Sequence, residues 1–374
     1  MRSLQPFILA TLIAFSANGI VATAQENSKA FQRIIDTSFA AHPATNGIIV
    51  SVATGNEKIW TYAVGKSQRN GAILNAEQPL LIASNTKTYV AAAILRLQEQ
   101  KKLNITDPIA NYLTTETRNC LVNDGYDIQK IKISHLLSHT SGIADYVDDG
   151  YFDFVNKNKK HRWTRKEQIV RATTVAKPLA APQDTFQYAD INYLLLTEMI
   201  EHITKKPFYT AIRELDKFET LGLNKTWFQT LEKTPQKTFA LAHQYWNKYD
   251  WDTYDLDPSW DLYGGGGIAA TNADLTRFFK YLFEGKIVAD TAILSKMYTD
   301  VPCKTKTKYC MGMYKFTIAG MTAYYHGGFW GTDAIYFPEL KTAISITILE
   351  KSERDLSSEI CKAIAEILKA KNTK

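Results

Sequence analysis

The sequence predicts an α/β fold in which strands from both ends of the chain enclose a mainly helical middle. Two observations carry this. Short β-branched or aromatic runs occur near the start (Gly47 to Val52 and Lys58 to Val64) and return near the end (Met313 to Ala319, Met321 to His326, Ala334 to Phe337 and Ala343 to Leu349). Between them the apolar spacing becomes helical, until the run Gly264-Gly265-Gly266-Gly267 breaks the pattern. The expected division is an α/β part of about 25–83 and 270–374, with a helical part of about 84–269 inserted into it. A site formed where the two parts meet is the natural place for a ligand.

In chain order, the first element is a leader. Arg2 precedes an apolar run from Phe7 through Phe15, and Ala22-Thr23-Ala24 supplies a small-x-small cleavage pattern ahead of Gln25. Ser16, Asn18 and Gly19 interrupt the run before it reaches membrane-spanning length. Residues 1–24 are therefore read as a signal peptide, and the mature chain as an exported protein, periplasmic or secreted, with no integral membrane segment. Thr54-Gly55-Asn56 joins the first two strand runs as a hairpin. A helix is expected to begin near Ser84, where Val90, Ala91, Ile94, Leu95 and Leu97 form an apolar face. Asp107-Pro108 marks a turn after it, and Tyr193 to Ile203 is the clearest amphipathic segment of the middle. Asn272-Ala273-Asp274 caps a helix through Phe283, and a last helix runs from about Leu356 to Leu368.

Composition excludes some function classes. Of 374 residues, 45% are hydrophobic and 22% charged, and the formal charge of +6 is scattered rather than gathered in a basic tract. Without a recognition motif, that charge reads as solvated surface and not as a nucleic-acid footprint. Export permits disulfides. The spacing of Cys303 and Cys310 allows a small bridged loop, and Cys120 could pair with Cys361, although sequence does not fix connectivity. The cysteines have neither CxxC pairing nor a histidine at ligand spacing, so no zinc site is expected.

Ser84-Asn85-Thr86-Lys87 places a hydroxyl and an amine at i and i+3, on one face of a helix. A serine hydroxyl needs a neighbouring base to become a nucleophile, and a helix N-terminus offers free N–H groups to a developing oxyanion. Alone, the pattern fits a capped surface helix equally well. Context changes its weight. S-x-x-K is a signature of β-lactamases and penicillin-binding proteins, and Leu80 to Lys87 resembles the class C branch of that superfamily. Ile133-Ser134-His135-Leu136-Leu137-Ser138-His139-Thr140-Ser141-Gly142 is similar to its HLLxHTSG stretch. Phe186 to Leu195 resembles its YxN segment, Gly265 to Leu275 a Gly-rich turn before a helix, and His326-Gly327-Gly328 its KTG or HxG strand.

The resemblance covers nearly the whole mature chain. It implies a β-lactamase/D,D-peptidase-like fold, with an antiparallel sheet flanked by helices. It also implies the roles. Ser84 is the nucleophile, and Tyr188 faces Ser84 and Lys87, with a phenol pKa expected to fall beside the lysine. The residues leave open which of Lys87 and Tyr188 is the acylation base. The backbone N–H groups of Ser84 and Phe329 form the oxyanion hole, and His326, Gly327, Gly328, Asp190 and Asn192 bind substrate. Two departures from the family pattern matter. His326 stands where β-lactamases usually carry Lys, and Asp190 stands where the motif has Asn, so it can accept but not donate, or can pair with Lys87.

Other features read more plainly. His135 and His139, spaced i and i+4, lack the acidic residue of an HExxH metal site and are taken as structural. Asp250, Asp252, Asp255 and Asp257 lack the pattern of a calcium loop. Some rings of the aromatic stretch Tyr245 to Tyr263, which holds Trp246, Tyr249, Trp251, Tyr254 and Trp260, are expected to wall the cleft. The expected activity is two-step acyl transfer without cofactor or metal, on a small-molecule or peptide substrate with an acyl carbonyl. A D-amino-acid peptidase or D,D-carboxypeptidase leads, followed by a carboxylesterase and then a β-lactamase. A non-catalytic binding protein that kept the fold is the alternative from another class.

Overall fold

A computed structural model describes residues 26–55 and 58–372, so the leader lies outside the described residues. Six antiparallel strands form the main sheet: β1 (Gly47–Thr54), β2 (Trp60–Gly65), β3 (Tyr314–Ile318), β4 (Met321–Gly327), β5 (Thr332–Phe337) and β6 (Thr342–Ile348). Their order is β2-β1-β6-β5-β4-β3, so the two chain ends are stitched together where β1 pairs with β6 in register Val50↔Ile346. Every strand run expected from the sequence is present.

Side chains alternate across this sheet. Ile48, Val50 and Val52 of β1 and Ile344, Ile346 and Ile348 of β6 face one side. There they meet Phe31 and Ile35 of helix α1 (26–41), and Ile360, Ile364 and Leu368 of the final helix. Fully burying an aliphatic side chain of this size is worth about 1.5–3 kcal/mol. The opposite side is more polar and specific: Thr347 Oγ1 donates to Asn272 Oδ1 at 2.9 Å, and Asn272 Nδ2 donates to Ile49 O at 2.8 Å. These bonds fix the helix Asn272–Phe283 against the sheet. Its cap is Thr271, whose side chain accepts from Asp274 N, one residue earlier than the sequence suggested.

The residues between the two strand groups carry helix α2 (Thr86–Glu99) and helix α3 (Ile191–Thr204) at their centre. Sequence spacing gave α2 one apolar face. The structure instead buries Thr86 through Leu95, and Leu97, all round the helix. Lys87 lies within that buried run. A short antiparallel pairing of Leu80–Leu81 with Ile268–Ala270 delivers the chain to the start of α2.

Neither disulfide expected from sequence forms. All four cysteines are free thiols. Cys310 packs into the helical-side core, while Cys303 turns to the Thr305 hydroxyl at 3.4 Å. Cys120 borders that same core, whereas Cys361 is buried on the other side of the sheet. The intervening sheet excludes a bridge between them.

Candidate active site

Ser84 sits in a single 3-10 turn, Ala83–Asn85, that leads directly into α2. The preceding residue, Ala83, has φ 44°, a left-handed conformation that a non-glycine residue adopts only when its surroundings hold it there. Asn85 supplies that hold: its fully buried Nδ2 donates to Ile82 O at 3.1 Å and across to Thr332 O of β5 at 2.8 Å. From the sheet side, Gly328 closes against the same turn. A Cβ there would lie 2.3 Å from Ile82 O, so only glycine allows the approach.

Lys87 Nζ donates to Ser84 Oγ at 2.9 Å and to Gly265 O at 2.6 Å, and pairs with Asp190 Oδ1 at 2.6 Å. Two of these contacts are hydrogen bonds, and the third is an ion pair at close range. Gly265 is thus the main-chain ligand that the Gly-rich run contributes. The Tyr188 hydroxyl is hydrogen-bonded to Ser84, and the Lys87 ammonium lies 5.1 Å from the Tyr188 ring centroid. The expectation that Lys87 lowers the Tyr188 pKa is overturned. Burial and the Asp190 carboxylate hold the phenol well above its usual value, outweighing the hydrogen bond to Ser84.

His326 is 1% exposed, and its Nδ1 lies 3.0 Å from Gly327 O. A carbonyl only accepts, so Nδ1 carries the proton and Nε2 accepts from Tyr309 OH at 3.2 Å. Burial and Lys87 lower the His326 pKa to about 3, so the imidazole is neutral. It replaces a family lysine without replacing its charge.

His139 is also neutral and buried. Its Nδ1 accepts from Ala189 N at 3.2 Å, and its ring lies 4.3 Å from that of Tyr188. Asn192, expected to bind substrate, does not face the pocket. It is fully buried, accepting from Ser141 Oγ at 2.7 Å, with its Nδ2 3.1 Å from His139 Nδ1. Being two residues past Asp190 in the first turn of α3 points it to the opposite side.

These elements border a pocket of about 550 Å³, lined by Ser84, Tyr188, Asp190, His326 and Gly327 among the residues foreseen. The backbone amides of Ser84 and Phe329 donate to no protein carbonyl among the turns and loops described. The expectation for the aromatic stretch is met by Trp260. Trp260 lines the pocket, whereas Trp251 is buried behind it, packed against Trp260 at a centroid distance of 5.7 Å. The nearer wall is completed by Phe329, 5.2 Å from Trp260 and 5.8 Å from Phe152.

Sequence reasoning missed Phe152, Arg354, Asp145 and Asp261. Arg354 lines the pocket and pairs with buried Asp333 at 3.5 Å. Asp145 and Asp261 flank the Lys87–Asp190 pair. Burial and the Asp190 charge push their pKa values up to about 7 and about 8 respectively. Only Asp261 carried a signal, because it lies within the aromatic stretch already singled out.

Comparison with known proteins bears on the fold that carries these residues. A profile of the Beta-lactamase family matches residues 35–357. The putative penicillin-binding protein PbpX of Bacillus subtilis is 27% identical over 234 residues, 62% of this chain and 52% of that protein. Penicillin-binding protein 4* of the same organism is 24% identical over 284 residues, 71% of this chain and 58% of that protein. The chain thus spans a little over half the length of these curated relatives. Among solved structures, a D-stereospecific amidohydrolase from Streptomyces sp. superposes with a TM-score of 0.74 at 23% identity, covering 89% of this chain and 98% of that one. A D-amino acid amidase from Ochrobactrum anthropi SV3, complexed with L-phenylalanine, gives 0.76 at 20% identity, covering 93% and 99%. At these identities the likeness is one of fold.

Proposed function

The chain belongs to the beta-lactamase family and has its serine hydrolase fold, and from that premise we propose that it is an exported amidase acting through a Ser84 acyl-enzyme on D-amino-acid amides or short D-peptides. The observation that carries this is the buried Lys87, 2.9 Å from the Ser84 hydroxyl, with the Tyr188 phenol on the same oxygen.

Ser84 Oγ attacks the acyl carbonyl, forming the new C–O bond while its proton passes into the Lys87/Tyr188 unit. As an ammonium Lys87 has no free lone pair, so it accepts that proton only after losing one of its own. Asp190, 2.6 Å away, is the acceptor at hand. The oxyanion forms against the Ser84 and Phe329 amides, which donate to no main-chain carbonyl among the turns and loops of the described residues. The C–N bond then breaks, the leaving amine takes the proton, and water releases the acyl group by the reverse route.

Two features favour an amidase of amino-acid derivatives over a β-lactamase. The neutral His326 presents no cation where the family places lysine. The wall of Phe152, Trp260 and Phe329 suits an aromatic side chain, and the amidase of the same fold was solved with phenylalanine. A carboxylesterase is the second reading, since the same acyl-enzyme also hydrolyses esters.

The test combines labelling with turnover. A fluorophosphonate should add its mass to the wild-type chain and not to Ser84→Ala. A panel of D-phenylalanine amide, D-alanyl peptides, p-nitrophenyl esters and a cephalosporin should rank the D-amino-acid amides first. No adduct at Ser84 would defeat the hydrolase reading, and esters alone being turned over would leave the esterase.

A further inference from the structure

The floor of the pocket holds more carboxylates than cations. Asp145, Asp190 and Asp261 surround Lys87, whose ammonium is committed to Ser84, Gly265 O and Asp190. Asp145 has its own donors, accepting from Tyr146 N at 2.9 Å and Ile191 N at 3.2 Å. Asp261 differs. It lines the pocket beside Ser84, and the groups acting on it are Asp190 and Lys87 at a distance, with no hydrogen-bond donor among the described residues. The other cation on the pocket wall, Arg354, already pairs with Asp333 at 3.5 Å and reaches Tyr325 OH at 3.4 Å.

Asp261 is also held rigidly. It ends the 3-10 turn Pro258–Asp261, which Asp257 caps by accepting from Ser259 N at 3.0 Å. The Ser259 hydroxyl accepts from Trp163 N at 2.7 Å, and Trp260 O accepts from Tyr151 OH at 2.7 Å. Gly266 leaves the room the carboxylate occupies, for a Cβ there would lie 2.4 Å from Asp261 Oδ2. A fixed carboxylate without a donor, in the same pocket as a nucleophile, is built for a ligand that brings both hydrogens and positive charge.

We propose that Asp261 receives the ammonium group of the substrate, so that the pocket selects acyl donors carrying a free α-amine. This rests on the acyl-enzyme reading above and adds to it the substrate class and the residue that recognises it. A primary ammonium gives Asp261 a donor and favours the ionised form of a carboxyl that burial and Asp190 otherwise hold protonated up to about pH 8. An N-acylated or des-amino analogue does neither and leaves the carboxylate without a partner.

The experiment compares p-nitrophenyl esters of D-phenylalanine and of 3-phenylpropanoic acid, which differ only in the amine. The readout is the ratio of their kcat/KM values, each corrected for spontaneous hydrolysis, in wild type, Asp261→Asn and Asp261→Ser. A general loss of activity lowers both values and leaves the ratio unchanged, so misfolding does not imitate the effect. The expected result is a wild-type ratio that falls roughly 10- to 100-fold in both variants. A ratio that survives both substitutions, or a wild type indifferent to the amine, overturns the assignment while the acyl-enzyme stands. Failure of both esters to react faster than with Ser84→Ala overturns the hydrolase reading, and this inference with it.

Discussion

The two walls of the pocket handle charge in opposite ways. The wall supplied by α2, α3 and the Gly-rich run concentrates ionisable groups: Lys87, Asp190, Tyr188 and Asp261. The wall supplied by β4 and the turn after it carries neutral His326, aromatic Phe329 and main-chain amides. Proton transfer belongs to the first wall. The second offers shape and fixed dipoles. The difference teaches that His326 on β4 brings no charge to its wall, and that the nearest cation on the pocket lining beyond it, Arg354, is already paired with Asp333.

The largest expected effect would break this division if it failed. Tyr188→Phe removes a proton carrier and should lower kcat by about 10²- to 10³-fold, whereas His326→Asn should cost less than about 10-fold and leave the acid limb of the pH–rate profile in place. Equal losses would mean that the β4 wall also moves protons. Next comes Lys87→Met. Leaving Asp190 without its cation should destabilise the fold by about 3 kcal/mol, and adding Asp190→Asn should recover most of this in chemical denaturation.

The effect of pH is smaller. The folded-state pKa values of Asp145 and Asp261 lie at about 7 and about 8, above those of ordinary carboxyls. The folded chain therefore binds more protons than the unfolded one over that range. Stability should fall as pH rises from about 5 to about 8, and Asp145→Asn should flatten that fall in Tm. The smallest effect sharpens the account of the sheet. With every cysteine free, dithiothreitol should leave the unfolding free energy in chemical denaturation unchanged to within about 0.5 kcal/mol.

The strand runs and the Ser84/Lys87/Tyr188 group were legible because periodicity and short motifs are local, whereas the order of the strands was not. Ser84 and Lys87 lie one turn apart on any helix, and the strand runs carry their own alternation. The rest depends on distant segments meeting. Phe152 and Arg354 reach the pocket only through the packing of helices and sheet, and neither stands in a motif. Asn192 shows the converse: its motif position suggested substrate, but the first turn of α3 turns it toward His139 and Ser141. The Tyr188 pKa was misjudged for the same reason. The resemblance implies a lysine beside it but says nothing of how deeply the ring is enclosed.

The double bond count of Asn85 has a mechanical meaning. One amide group ties the carbonyl before the nucleophile to the carbonyl that opens β5, while Gly328 presses on the same carbonyl from β4. The serine and the Phe329 amide therefore ride on one rigid block. Any breathing between the sheet and the helices would shift Asp190, Asp261 and Trp260 around the substrate and leave the distance from serine to amide constant. New substrates could then be gained by reshaping the moving surfaces, with the reaction centre left untouched.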